Sequence, residues 1–244
     1  MTEQYTVALA GNPNTGKSTL FNSLTGMRQH TGNWAGKTVL TAEGHFNHEG
    51  TSYKMVDLPG TYSLYSNSAD EEAARDYIIF EKPDVTLVVL DATSLERNLN
   101  LALQVMEMTN RVVVCINLMD EAKRLGVKID TNAIEKKLGV PAVAISARHR
   151  TGIDQMMEKI KGVASGKIVP SPLLVQYSED IEEKIAALEP IIREKLGTTF
   201  PTRWIALRLL DGDESLINSM RSRWNSPVAD TVKGVVSYGH TACH

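Results

Sequence analysis

The chain has 244 residues, of which 42% are hydrophobic and 23% charged. That is ordinary globular composition, long enough for one large or two smaller domains, and it excludes disorder as the overall state. The 26 Lys+Arg against 29 Asp+Glu give a formal net charge of −3, which argues against a mainly electrostatic nucleic-acid binder, and two Cys are too few for a disulfide framework.

Met1-Thr2-Glu3-Gln4 is polar and lacks the basic start of a secretory signal. No apolar stretch approaches the ~18–20 residues of a membrane span, so a soluble protein of a reducing compartment is expected. Val7 to Ala10 reads as a short strand that stops at Gly11, and Leu20, Phe21 and Leu24 mark a helix after it. Thr38 to Phe46 and Ser52 to Asp57 read as strands joined by the turn His48-Glu49-Gly50. Val85 to Leu90 and Val112 to Ile116 are continuous apolar runs, the pattern of parallel strands buried on both faces. Cys115, inside the second run, reads as a small core hydrophobe. Leu95 to Met108 has helical spacing, Pro141 to Ile145 is a last strand, and Ile153, Met156, Met157 and Ile160 mark one helix face. Strands alternating with helices predict an α/β fold with a mostly parallel, doubly wound sheet over residues 1–165.

A linker falls at about 163–172, rich in small residues and Pro. Beyond it, over 173–244, only helical signals appear. Ile181, Ile185, Leu188 and Ile192 share a helix face with Ser178 as N-cap, and Pro190 is expected to kink or divide that helix. Trp204 to Leu210 and Leu216 to Trp224 read as shorter helices, both Trp as core of a small all-helical domain.

Gly11-Asn12-Pro13-Asn14-Thr15-Gly16-Lys17-Ser18 fits GxxxxGK[ST] between a strand and a helix, the setting of a phosphate-binding P-loop. Glycine admits close backbone approach, successive N–H groups through Thr19 face an anion, Lys17 reaches β- and γ-phosphates, and the Ser18 hydroxyl suits Mg²⁺. Asn117-Leu118-Met119-Asp120 matches NxxD at a strand end; its carboxylate accepts from both guanine donors, and adenine offers no such pair. Ser146-Ala147 follows the next strand and completes a guanine pocket through the Ala147 N–H. Asp57-Leu58-Pro59-Gly60 matches DxxG, where Asp57 is expected to hold Mg²⁺ through water and the Gly60 N–H to meet the γ-phosphate. Thr38 is the candidate Thr whose hydroxyl binds Mg²⁺ when the γ-phosphate is present. Any one motif has a bland reading as a turn or cap; their order is that of a P-loop GTPase using GTP/GDP.

GNPNTGKSTLFNSLTG, NWxGxTV, DLPGTYSL and NLMD together resemble the N-terminal cytoplasmic GTPase domain of bacterial FeoB ferrous iron transporters. Glu182 to Leu196 and Pro201 to Glu214 resemble that family's helical domain, so the resemblance covers nearly the whole chain. It implies a potassium-activated GTPase regulating Fe²⁺ uptake, with switch changes relayed through the helical domain to a C-terminal transmembrane region of the same protein. It places the chain at the cytoplasmic side of the bacterial inner membrane, as a fragment, with a homo-oligomer as a further option and no nucleic-acid partner. The family usually reads NWPGVTV; Ala35 and Lys37 replace Pro and Val here, and losing Pro frees the loop backbone.

Thr61 stands where Ras-like enzymes carry a water-positioning Gln, so slow intrinsic hydrolysis is expected. In related potassium-dependent GTPases an Asn at the Asn14 position binds K⁺ against the phosphates, helped by switch carbonyls, here Gly32 and Trp34. A loop-shaping role for Asn14 is the alternative. Leu118 replaces a Lys that packs on the base, which predicts fast GDP release. Glu71 and Glu72 read either as water-orienting or as helix-start residues. His45 and His48, and the tail His240 to His244, carry metal-capable side chains whose solvated reading is preferred. Two rivals remain: an RNA-directed GTPase, and a GTP-gated interaction module with little turnover.

Overall fold

The computed structural model describes residues 4–26, 30–33, 40–65 and 68–224. Within these, seven strands form one sheet: β1 (Gln4–Gly11), β2 (His30–Asn33), β3 (Leu40–His48), β4 (Thr51–Asp57), β5 (Val85–Asp91), β6 (Val112–Asn117) and β7 (Ala142–Ala144). Their order is β2-β3-β4-β1-β5-β6-β7. The pairs β4–β1, β1–β5, β5–β6 and β6–β7 are parallel, and β3 is antiparallel to both β2 and β4. The helices of this unit are α1 (Lys17–Thr25), α2 (Ala69–Asp76), α3 (Leu95–Met108), α4 (Met119–Arg124), α5 (Thr131–Leu138) and α6 (Ile153–Ala164).

The core follows from strand alternation. Tyr5, Val7 and Leu9 of β1 join Leu20 and Phe21 of α1 and Met156, Met157 and Ile160 of α6 in one buried cluster. Ala8 and Ala10 are equally buried on the other face. Cys115 belongs to the first cluster, its Sγ 3.8 Å from the Met156 Sδ, and burial raises its thiol pKa. Parallel pairing aligns the carboxyl ends of β1, β4, β6 and β7 at one sheet edge, where open α/β sheets bind ligands.

Four elements depart from the sequence reading. His30–Asn33 pairs with β3 as a short edge strand, although His-Thr-Gly-Asn has weak β-propensity; register with β3 imposes it. Tyr77–Glu81 continues α2 as a π-helical turn. The helices α4 and α5 lack the long apolar stripe that reveals a helix in sequence: one is six residues long, and in the other only Leu138 is buried.

The chain divides into two compact units between Leu173 and Leu174. At the end of the first, the Ser171 and Leu173 N–H groups donate to the Gly139 and Leu138 carbonyls, pinning the linker to the end of α5. The second unit contains α7 (Glu179–Leu196), α8 (Thr202–Leu210) and α9 (Glu214–Trp224). Ile185, Leu188, Ile192, Trp204, Ile205, Leu209, Leu216 and Met220 are among its buried residues. Ser178 is the N-cap of α7, through its carbonyl rather than its side chain. Pro190 does not divide α7; neighbouring turns and the buried stripe hold it as one helix. Arg203 grips the Glu182 carboxylate with two hydrogen bonds of 2.6 and 2.7 Å. That bidentate pair pushes the Glu182 pKa down to about 2. The Trp224 side chain and the tail from 225 lie outside the described residues. No helix among the described residues is long and apolar enough to cross a membrane.

Candidate functional site

The turn from β1 into α1 is shaped by two left-handed residues, Asn14 (φ 66°) and Gly16 (φ 81°). Asn tolerates that region and glycine enters it without strain. A Cβ on Gly16 would lie 2.3 Å from the Asn117 Nδ2, and one on Gly11 would lie 2.6 Å from the Val89 carbonyl, so both positions demand glycine. Asn14 is exposed, its backbone in the left-handed region. The Thr15 hydroxyl donates to the Asn12 carbonyl at 3.0 Å. Asn12 is buried and its side-chain Oδ1 has no hydrogen-bond partner. Ser18 and Thr19 are exposed in the first turn of α1.

Lys17 is buried, and its ammonium donates to Asp57 Oδ1 and to the Leu58 carbonyl, each at 2.6 Å. The Ser18 hydroxyl donates to Asp57 Oδ2 at 3.3 Å. DxxG is thus brought against the phosphate loop: Leu58 N–H donates to Leu9 O, Thr61 N–H donates to Gly11 O, and Gly60 packs against Pro13. A hydroxyl and a carboxylate side by side are hard oxygen donors, the ligand type Mg²⁺ takes, so Ser18 and Asp57 fit that ion.

At the other end Asn117 is buried and uses both ends of its amide. Its Nδ2 donates to the Thr15 carbonyl at 3.0 Å, and its Oδ1 accepts the Ala147 N–H at 2.9 Å. One side chain therefore bolts the phosphate loop to the loop after β7. Asp120 Oδ1 accepts from the Ser146 hydroxyl at 2.8 Å, and Oδ2 lies 3.5 Å from His149 Nε2. The Ser146 hydrogen bond, first among the causes, holds the Asp120 carboxyl below the usual carboxylate range. Leu118 occupies the left-handed region (φ 62°) as the N-cap of α4.

The structure therefore brings together Gly11, Asn12, Asn14, Thr15, Gly16, Lys17, Ser18, Asp57 and Gly60 at one end, and Asn117, Asp120, Ser146 and Ala147 at the other. Trp34, Ala35, Lys37 and Thr38 lie outside the described residues; Gly32 is in β2, paired with Thr41. Glu71 sits in the first turn of α2 and accepts from the Ser63 hydroxyl at 2.9 Å. His45 and His48 stand on opposite faces of β3, since strand side chains alternate, and no metal-binding cluster of three His, Cys, Asp or Glu exists among the described residues. Three contacts escaped sequence reading: the Leu58 carbonyl on Lys17, His149 beside Asp120, and the Arg150 guanidinium on the Ser23 carbonyl at 2.6 Å. Only the return of the chain at the Ser146–Thr151 bridge places the last two.

Residues 5–160 match the family described as ferrous iron transport protein B, and residues 177–236 match the FeoB cytosolic helical domain. Over 215 residues the chain is 39% identical to an Fe(2+) transport protein A/Fe(2+) transporter FeoB fusion protein of Porphyromonas gingivalis, and 36% identical to the Fe(2+) transporter FeoB of Escherichia coli. Each match covers 86% of this chain but only 25% and 27% of those relatives, so the chain spans about a quarter of their length. Among solved structures, the cytosolic domain of T. maritima FeoB in a GDP form superposes with a TM-score of 0.81 at 34% identity, covering 97% of this chain and 98% of that one. The match of the second unit to a FeoB helical domain stands against an RNA-directed GTPase.

Proposed function

The chain belongs to the FeoB family, and from that membership we propose that it is the GTP-binding and GTP-hydrolysing regulatory part of a ferrous iron transporter. The observation that carries this reading is the convergence of Lys17, Ser18 and Asp57 at the phosphate loop, with Asn117 joining that loop to the base-reading residues.

Lys17 turns its ammonium from Asp57 and the Leu58 carbonyl toward the β- and γ-phosphates when nucleotide binds, so binding competes with an internal ion pair. Asp120 accepts the two guanine donors and the Ala147 N–H completes the base pocket. The Gly60 N–H meets the γ-phosphate. Ser18 and Asp57, with Thr38, would hold Mg²⁺, which would supply charge neutralisation at the transferred phosphoryl group. Asn14, with the Gly32 and Trp34 carbonyls, would hold K⁺, which would supply the positive charge that an arginine supplies in other GTPases. Thr61 is too short to position water as Gln does, so turnover without K⁺ is slow. Leu118 leaves the base without a packed Lys stem, so GDP leaves fast. Switch changes pass through the second unit to a membrane region, at the cytoplasmic face of the bacterial inner membrane.

Single-turnover GTP hydrolysis with Mg²⁺, in KCl and in NaCl at equal ionic strength, tests this. The expected result is a rate about tenfold or more higher in KCl, the scale of one transition-state charge contact. Asn14→Ala is expected to lose the stimulation while keeping nucleotide affinity. Equal KCl stimulation in Asn14→Ala sinks the ion site. No turnover in either salt points instead to a nucleotide-gated binding module.

A further inference from the structure

Three consecutive residues after Gly60 and Thr61 are each held by a side chain from a helix. The guanidinium of Arg97 lies 4.5 Å from the centroid of the Tyr62 ring, which is 48% exposed. The Ser63 hydroxyl donates to Glu71 of α2 at 2.9 Å. The Leu64 N–H donates to Gln104 Oε1 at 2.7 Å. Leu64 is 1% and Gln104 4% exposed, so that bond lies in the core. Arg97, Leu101 and Gln104 are spaced i, i+4, i+7 on α3 and form one face. No nucleotide motif requires any of them.

Gln104 is half used. Its Oε1 takes the Leu64 N–H, while its Nε2 is buried without an acceptor. A buried amide donor without a partner is costly, so keeping Gln104 at this position costs stability. The chain between Thr61 and Leu64 is too short to absorb a displacement of Leu64. Any shift there reaches Gly60, which packs against Pro13 of the phosphate loop, and Thr61, whose N–H rests on the Gly11 carbonyl.

We infer that Arg97 and Gln104 are positioning residues for hydrolysis: they latch Tyr62 and Leu64 to α3 and so set where the Gly60 N–H stands relative to the γ-phosphate. This rests on the hydrolysis proposed above. Among its described contacts neither residue meets the phosphate loop or the base-reading loops, so the latch acts on turnover and leaves nucleotide affinity alone.

The test uses the full chain, with single-turnover GTP hydrolysis in KCl and Mg²⁺ and, separately, the Kd of a fluorescent GDP analogue. Gln104→Leu removes the acceptor at similar volume, and Gln104→Glu keeps an acceptor oxygen while replacing the unpartnered donor. The expected result is hydrolysis slowed about tenfold in Gln104→Leu with Kd within about twofold, and most of the rate restored in Gln104→Glu. Arg97→Met, at an exposed helix position, is expected to slow hydrolysis about two- to fivefold, the worth of an exposed cation–π contact. A wild-type rate in Gln104→Leu with unchanged Kd overturns the latch, as does equal slowing in Gln104→Leu and Gln104→Glu. If Gln104→Leu fails to fold, a wild-type rate in Arg97→Met overturns it instead. Absence of turnover in the unchanged chain shows in the same assay and overturns the hydrolysis reading itself.

Discussion

The two ends of the site are built differently. At the base end, Asn117, Ser146 and Ala147 are buried, and amide hydrogen bonds of Asn117 together with the Ser146 hydroxyl on the Asp120 carboxylate tie three loops together. At the phosphate end, Lys17, Ser18 and Asp57 are joined by a charge pair and one long hydroxyl contact. The contrast separates recognition from chemistry. A reader of one base needs donors and acceptors fixed in advance, since rearrangement on binding subtracts from affinity. A phosphoryl-transfer site changes charge during its cycle and needs partners that can be exchanged.

Asn117→Ala is the harshest way to break the base end. It strands the buried Thr15 carbonyl and Ala147 N–H, each worth about 1–3 kcal/mol. A loss of about 2–5 kcal/mol is expected by denaturant unfolding, with nucleotide affinity falling alongside. An unchanged midpoint in denaturant means the bolt is not structural. Asp120→Asn sharpens the same end with less damage. The amide offers a donor where the carboxylate only accepts, so guanine is disfavoured against a base with a carbonyl at that edge, such as xanthine. A shift of about 1–3 kcal/mol in the ratio of GDP to XDP affinities is expected, by competition titration. A ratio left at the wild-type value places the guanine reader elsewhere.

Ser146→Ala is the mildest. The Ser146 hydrogen bond holds the Asp120 pKa below its unfolded value. A depressed carboxylate adds stability above its unfolded pKa of about 3.9 and loses it as pH falls through the lower folded value. The Tm difference between wild type and Ser146→Ala is therefore expected to be full at pH 6 and to shrink as pH drops below about 4. A difference that grows on acidification contradicts the assignment.

The base and phosphate motifs were readable because each is a short run whose chemistry and chain neighbours are local. Residues 11–18 carry their own glycines, Asp57 ends an alternating strand and Asn117 a continuously apolar one. Leu95–Met108 matched its helical stripe residue for residue. The edge strand at His30–Asn33 was not readable, because its neighbour β3 rather than its composition makes it a strand. Of the two outcomes expected at Pro190, a kink or a division, division does not occur, because burial of Ile185, Leu188 and Ile192 carries α7 on as one helix.

Order along the chain, apolar periodicity and motif chemistry were enough to name an α/β unit of the P-loop GTPase fold and a helical unit after it. These depend on interactions within a few residues, and such interactions are written in the local sequence. The pairing of Lys17 with Asp57, the double use of Asn117 and the grip of α3 on Tyr62 and Leu64 join residues 30 or more positions apart. No spacing rule reaches that far. Sheet register and helix docking decide which distant side chains meet, and those are properties of the folded chain.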